Sequence, residues 1–274
     1  MGNNRTMAIT LAGFGVALAA GALPAGVRAQ SRTVTVTVEN RAPTNSVSFA
    51  PLRIGFNNGT FDAFNVGEAA GAPIISIAEG GSGSDWFPAF AAADPGALLG
   101  TVGGLLQPGQ TASGTFSFDA GLNPFFTFGS MVVPSNDFFI GNDDPMEYRL
   151  FDAAGDLVIT SIEQNAAEIW NAGSEIFDPA AAAFLQIGNN GLRTSEGGAV
   201  AFNFSELAGF NGLTTGSGYV FNSQLQASTP IYRISFSTAA VPEPGTWLML
   251  ILGFGTAGTM LRKRTQRAVL ASVA

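Results

Sequence analysis

The sequence predicts an all-β protein, and within that class an antiparallel β-sandwich. Residues 32–39, RTVTVTVE, alternate strictly, so that Val34, Val36 and Val38 share one face of a strand and the threonines share the other. Further short apolar segments are separated by turn-forming residues, and Phe and Gly are abundant, with 23 and 35 copies in 274 residues. Many short strands joined by turns are typical of a sandwich.

The other strands are predicted where short apolar or alternating segments lie between turn signals. They are residues 47–56, 73–78, 112–118, 126–133, 148–152, 157–162, 199–204, 219–226 and 231–237. Helix is predicted only over residues 85–93 and 179–185, and residues 80–84, GGSGS, are interpreted as a flexible linker. Short hairpin connections are predicted at three turn sequences that tolerate positive φ, namely Asn57-Asn58-Gly59, Ala154-Gly155-Asp156 and Asn189-Asn190-Gly191.

The N-terminal residues have the pattern of a secretory signal peptide. Arg5 supplies the positive start, residues 7–22 form an apolar core, and Val27-Arg28-Ala29 is a cleavage pattern of small residues. Cleavage is predicted after Ala29. The remaining chain, up to residue 238, is of single-domain size and long enough to bury a core. The predicted division is therefore a signal peptide over residues 1–29, one sandwich domain over residues 30–238 and a separate segment over residues 239–274.

The segment over residues 239–274 is predicted to sort the protein through a membrane. Pro242, Glu243 and Pro244 form an extended linker, residues 246–261 form a short hydrophobic helix, and residues 262–264 are basic and stay on the cytoplasmic side. The apolar segment has 16 residues, fewer than the roughly 20 of a comfortable spanning helix. Such a length suits transient insertion into the inner membrane, although an ordinary tail anchor is the alternative.

This order of features resembles the PEP-CTERM sorting signal of Gram-negative bacteria. The resemblance rests on Pro242-Glu243-Pro244, the nearby Trp247, the glycine-bearing apolar segment and the basic cluster. It implies that an exosortase-type transpeptidase processes the tail, and that the protein works at the cell surface or in the extracellular matrix. Proteins with this signal often accompany exopolysaccharide and biofilm, so that exopolysaccharide and other surface proteins are the expected partners.

Composition excludes several classes of function. Residues 31–240 contain 19 Asp and Glu against 6 Arg, a net charge of −13, so that nucleic acid is excluded as a partner. The chain has no His, which removes the usual general base, the Ser-His-Asp and Cys-His systems and nearly all zinc chemistry. It also has no Cys, so that stability must come from packing, and bound cations are a further option.

Oxygen-bearing side chains near two turns indicate a site for a hard cation. Asn171 and Glu175 flank three small residues, which let the backbone curl so that both polar groups face one point. Asp137 would approach from another loop. Ca²⁺ takes six to eight such oxygens. Because Asn and Asp near Gly or Pro also build ordinary turns, each motif alone is compatible with a purely structural role.

The same two motifs resemble the spondin N-terminal domain, found in secreted matrix proteins. Residues 134–138, PSNDF, match its Pro-Ser-Pro-Asp-Trp, and residues 170–175, WNAGSE, match its Trp-Asp-Ala-Gly-Thr-Asp. The resemblance implies a β-sandwich and a Ca²⁺ site with Asp137, Asn171 and Glu175 as ligands. Two of these depart from the family's type, since Asn171 stands for an Asp and Glu175 is longer by one methylene. The lost charge should weaken the affinity for Ca²⁺.

Two other groups of residues receive structural interpretations. Asp143-Asp144-Pro145 is interpreted as a solvated turn, although either carboxylate would be available to complete a coordination shell. Trp86, Trp170 and the many Phe are predicted to lie in the core rather than to form a platform for sugars.

The combined prediction is a noncatalytic, calcium-binding adhesion module that exosortase processes and that acts at the surface or in the matrix. Two alternatives stay open. One is a polysaccharide-active enzyme that uses paired carboxylates, which an acidic surface permits but no motif supports. The other is a metal-free structural protein of the matrix.

Overall fold

The computed structural model describes residues 31–238 and residue 254. The predicted signal peptide, the Pro242-Glu243-Pro244 motif and the hydrophobic segment lie outside the described residues, apart from Phe254. Among the residues that the structure describes, no helix is both long and apolar enough to cross a membrane.

The described chain forms eleven strands, which build two antiparallel sheets. The strands are β1 Ser31–Asn40, β2 Ser48–Phe49, β3 Leu52–Asn57, β4 Leu98–Val102, β5 Thr111–Asp119, β6 Phe125–Val133, β7 Phe138–Gly141, β8 Ser161–Asn165, β9 Trp170–Asn171, β10 Ala201–Phe202 and β11 Pro230–Thr238. The smaller sheet has the order β5-β1-β11-β8, and the larger has the order β10-β9-β7-β6-β3-β4, with β2 also paired to β6. The predicted all-β antiparallel sandwich is confirmed.

The main core lies between the two sheets and follows the alternation of β1. Val34, Val36 and Val38 are buried and face the larger sheet, whose Phe56 and Phe126 belong to the same cluster. The intervening threonines of β1 face solvent, where their hydroxyls pair with those of β5. The period-two pattern of the sequence therefore places one face of the strand in the core and one in water.

Two helices cover the outer face of the larger sheet and build a second cluster against it. They are α1 Ala72–Gly80 and α2 Trp86–Ala93. Helix α1 lies so close to β6 that a Cβ on Gly129 would come within 2.8 Å of the Ile77 side chain. Trp86 and Trp170 are both buried in this cluster, which confirms their predicted place in the core.

Several predicted elements are wrong. Residues 73–78 form most of α1 rather than a strand, and residues 80–84 are the turn between the two helices, capped by Gly81, rather than a flexible linker. Residues 148–152 and 219–226 make only isolated bridges, and residues 179–185 form turns instead of a helix. Strands β4, β7 and β9 were not predicted. Of the three turn sequences, Ala154-Gly155-Asp156 joins a bridged pair, whereas residues 57–59 lead from β3 towards α1 instead of a hairpin partner and residues 189–191 lie at a 3-10 turn.

Candidate functional site

Asp137 lies in the loop between β6 and β7 and is completely buried, with 0% of its surface exposed. Its Oδ2 accepts hydrogen bonds from the backbone N–H groups of Ser174, at 2.8 Å, and Glu175, at 3.0 Å, and from Ser174 Oγ at 3.3 Å. Its Oδ1 is buried and has no hydrogen-bond partner within residues 31–238. One carboxylate oxygen is thus held by the second motif while the other keeps its full capacity to accept.

Burial raises the pKa of Asp137, because the charged carboxylate loses its hydration. The hydrogen bonds from Glu175 and Ser174 act in the opposite direction, and the negative charge of Glu196 adds to the increase. Without a cation, this environment disfavours the ionised form of the carboxyl group.

Asn171 lies on β9, where it pairs with Phe138 of β7 on one side and with Ala201 of β10 on the other. It is 9% exposed, and its Oδ1 accepts a hydrogen bond from Gly173 N–H at 2.6 Å. Gly173 has φ +64°, and a Cβ there would lie 2.7 Å from the backbone N of Ala199. The small residue expected to let the backbone curl is therefore required at this position.

Glu175 is 3% exposed and is engaged by two donors. Its Oε1 accepts from Asn136 Nδ2 at 2.8 Å, and its Oε2 lies 3.8 Å from Nε of Arg193. Arg193 in turn forms an ion pair with Glu79 at 2.7 Å. Burial raises the pKa of Glu175, and the contacts with Asn136 and Arg193 partly offset that increase.

The structure brings the three predicted ligands into one corner of the molecule, at the loops beside β7 and β9. The backbone N–H of Ala172 bonds to Asp137 O at 3.1 Å, which ties the two motifs together. The three side chains nevertheless differ in how far their oxygens are free to bind a cation. Of the three, only Asp137 has an oxygen without a donor, whereas the oxygens of Glu175 contact Asn136 and Arg193. Within residues 31–238, no three or more Asp and Glu side chains are grouped closely enough to hold a metal ion.

Two charged residues of this corner were not predicted. Arg193 contacts Glu175, and Glu206 lies in the 3-10 segment Phe204–Phe210, where Asn203 Nδ2 donates to its Oε2 at 2.7 Å. Burial and then the negative charge of Asp137 raise the pKa of Glu206. Both residues reach the corner through long-range pairing of the chain, for which the local sequence carries no signal.

Asp143 and Asp144 lie in a turn, as predicted, but the turn is solvated only in part, because Asp143 Oδ1 is buried without a hydrogen-bond partner among the described residues. Asp144 is exposed and its Oδ1 accepts from Met146 N–H at 2.8 Å, which is a typical turn contact. Burial, followed by the negative charges of Asp62 and Asp144, raises the pKa of Asp143. The neighbours of Asp143 are therefore other acidic residues rather than the two motifs.

Comparison with known proteins bears on the C-terminal segment. Residues 240–264 match the family model of the PEP-CTERM protein-sorting motif, which contains the predicted Pro242, Glu243 and Pro244. No curated protein matches the chain. The resemblance to the spondin domain therefore stays a prediction. The sorting motif identifies an exported protein that exosortase processes and that is sorted to the cell surface of a Gram-negative bacterium.

Proposed function

We propose that the sandwich is a noncatalytic, calcium-binding adhesion module of the spondin type, which acts at the cell surface or in the extracellular matrix after exosortase processing. The observation that carries the calcium site is Oδ1 of Asp137, a buried carboxylate oxygen without a partner among the described residues. A buried, unpaired acceptor of this kind costs stability unless a cation or another donor reaches it.

The donor types present fit Ca²⁺. Asp137 supplies the carboxylate oxygen, and Asn171 Oδ1 accepts one hydrogen bond and keeps a second lone pair. Glu175 supplies a further carboxylate once its 3.8 Å contact with Arg193 is released, and Glu196 contributes a negative charge that acts on Asp137. When bound, the ion supplies the positive charge that buried carboxylates lack. Backbone carbonyls and water complete such shells in other proteins.

A metal-free structural role is the second candidate, and one observation favours it. Arg193 and Asn136 already supply donors to Glu175. The positive charge of Arg193 then takes the place of the metal ion that the resemblance implies. In that case Glu175 would stay with Arg193 and added Ca²⁺ would leave the protein unchanged.

Thermal unfolding of the processed protein, in Ca²⁺ and in a chelator, tests the calcium site. At a Ca²⁺ concentration of about 100 times Kd, binding to the folded state adds roughly 2.7 kcal/mol, which raises Tm by roughly 5–10 °C for a domain of this size. Asp137→Asn should abolish this increase, because it removes the charge but keeps the shape of the side chain. Asp144→Asn, at the exposed turn, is the matched control and should keep the full increase.

The outcome that contradicts the site is equally specific. If wild-type Tm does not respond to Ca²⁺, or if Asp137→Asn and wild type respond alike, then Asp137 is not a ligand. Isothermal titration of the same proteins with Ca²⁺ gives the stoichiometry, for which we expect one ion per chain.

A further inference from the structure

A cleft of about 380 Å³ lies beside the candidate metal centre, between α1 and the edge of the larger sheet. Its polar lining combines hydroxyl, carboxylate and guanidinium groups, from Ser174, Glu175, Arg193, Thr194, Ser195 and Glu79. Arg193 lies across the cleft, since it contacts Glu79 at 2.7 Å and Glu175 at 3.8 Å. The cleft is therefore rich in groups that hydrogen-bond to hydroxyls.

An exposed aromatic ring lies at the edge of the same sheet. Phe202, on the edge strand β10, is 51% exposed, and its ring stacks on Trp170 with centroids 3.6 Å apart and an interplanar angle of 24°. Trp170 is itself fixed, because Phe64 packs edge-on against it at 5.2 Å and its Nε1 donates to Gly141 O at 3.4 Å. The outer face of Phe202 is thus a rigid apolar surface open to solvent.

The cleft and the Phe202 ring follow one another along a single edge of the sheet. Trp170 and Ala172 are two residues apart and both lie in the cluster under α1, so that they share one face. Phe202 stacks on the first of these residues, and Ala172 lines the cleft. Two segments of the chain, residues 170–174 and 196–202, stay paired along this edge from the ring to the cleft. The pairs are Phe202↔Trp170, Ala201↔Asn171, Gly198 N–H to Gly173 O at 2.7 Å and Glu196 N–H to Ser174 O at 3.1 Å.

We infer that this edge binds a neutral polysaccharide chain, with one sugar ring stacked on Phe202 and the following hydroxyls bonded in the cleft. A pyranose ring has an apolar face of C–H groups and a rim of hydroxyls, which matches an exposed aromatic ring followed by a hydroxyl- and carboxylate-rich cleft. The inference rests on the proposed role as an adhesion module, and it names the partner and the surface that meets it.

Charge selects neutral polymers over anionic ones. Residues 31–240 carry 19 acidic residues against 6 arginines, and one Ca²⁺ held by Glu175 would leave that net charge strongly negative. An anionic polymer would be repelled by this field, whereas a neutral one would not.

Retention of the processed protein on immobilised polysaccharides tests the inference, with cellulose, mannan, dextran and galactan as neutral probes and alginate as the anionic probe. We expect retention on at least one neutral probe and none on alginate. Phe202→Ala should weaken that retention roughly tenfold, because it removes the ring whose exposed half the bound sugar would cover. Phe202→Trp should preserve it, and Leu122→Ala, at an exposed leucine of the β5–β6 turn, is the control that should not change it.

Three results would overturn the inference, namely no retention on any neutral probe, equal retention of Phe202→Ala and wild type, or self-association through Phe202. Sedimentation of wild type and Phe202→Ala detects the last of these. The Ca²⁺-dependent increase in Tm, measured on the same variants, keeps this test separate from that of the metal site. Phe202→Ala should retain the full increase, so that loss of sugar binding with an intact Ca²⁺ response, or the reverse, identifies which proposal fails.

Discussion

The space between the two sheets and the corner beside β9 both bury side chains, yet they bury opposite kinds of groups. Between the sheets the buried side chains are apolar, with Val36, Phe56 and Phe126 among them. The corner instead buries Asp137 and Glu175. Burying apolar area stabilises a fold, whereas burying carboxylates opposes folding unless their charge is compensated. The sandwich core therefore explains why the chain folds, whereas the buried carboxylates of the corner oppose folding unless their charge is compensated.

This difference predicts that the two regions respond to different conditions. Apolar packing has no ionisable group, so that its contribution should be the same with and without Ca²⁺ and across neutral and acidic pH. The contribution of the corner should change with both, because Asp137, Glu175 and Glu206 ionise and because a cation compensates ionised carboxylates.

The largest expected effect is that of Phe126→Ala in the core. Phe126 is completely buried, and its ring lies 5.4 Å from that of Phe56 and 4.9 Å from that of Phe236. Removal of a buried Phe ring lowers the free energy of unfolding by about 3–5 kcal/mol, through lost burial and the cavity that it leaves. Urea denaturation in Ca²⁺ and in a chelator should give the same loss. A loss that depended on Ca²⁺ would mean that core and corner are not separate.

A smaller effect is expected for the pH dependence of the corner in chelator. The pKa of Asp137, Glu175 and Glu206 is raised in the folded state above the unfolded values of about 4. As pH rises, the unfolded chain therefore releases these protons first, and the free energy of unfolding falls between the unfolded and the folded pKa values. The metal-free protein should lose stability as pH rises from about 4 towards neutrality, and Ca²⁺ should reduce that loss.

Glu206→Gln separates this contribution from the general acidity of the chain. It removes one of the carboxyl groups whose pKa is raised, in this case by burial and by the negative charge of Asp137. The decline in stability with pH should become shallower than in wild type. Glu39→Gln, on β1 of the other sheet, is the matched control. If both substitutions change the pH dependence equally, the acidity of the whole domain rather than the corner is responsible.

Apolar or alternating segments between turn signals were sufficient to predict the four longest strands. Residues 32–39, 112–118, 126–133 and 231–237 were each predicted within two residues of the observed bounds. In β1 and β11 buried side chains alternate with more exposed ones, so that the local pattern is enough, whereas β6 is buried on both faces and was predicted from apolar residues between turn signals. Residues 73–78 show the limit of that reasoning. They contain three isoleucines and suggest a strand, but Pro73 opens the first turn of a helix and Gly81 closes it in the left-handed region.

The candidate site was predictable only in part. Asp137, Asn171 and Glu175 were predicted together and lie in one corner, because β7 and β9 are neighbours in the sheet. Arg193, Glu206 and Phe202 were not predicted, since they reach the corner through pairing of β10 with β9 and of the loop before it with Gly173 and Ser174. The preference of Glu175 for Arg193 and Asn136 likewise depends on contacts between distant segments, which local sequence does not encode.

The smallest expected effect belongs to the solvent face of β1. There Thr33, Thr35 and Thr37 pair through their hydroxyls with residues of β5, and Thr35 Oγ1 lies 3.2 Å from Thr115 Oγ1. A cross-strand pair of this kind contributes roughly 0.2–1 kcal/mol relative to alanine. Thr35→Ala should therefore lower the free energy of unfolding by no more than about 1 kcal/mol in urea denaturation, independently of Ca²⁺.

Thr35→Val divides that effect between shape and hydrogen bonding. Valine keeps the β-branch that favours a strand but loses the hydroxyl, which water can replace as a partner for Thr115 on an open surface. We expect Thr35→Val to be closer to wild type than Thr35→Ala, and the double variant with Thr115→Val to show little coupling. Strong coupling would mean that this row of hydroxyls is shielded from water, against its placement on the solvent face of the sheet.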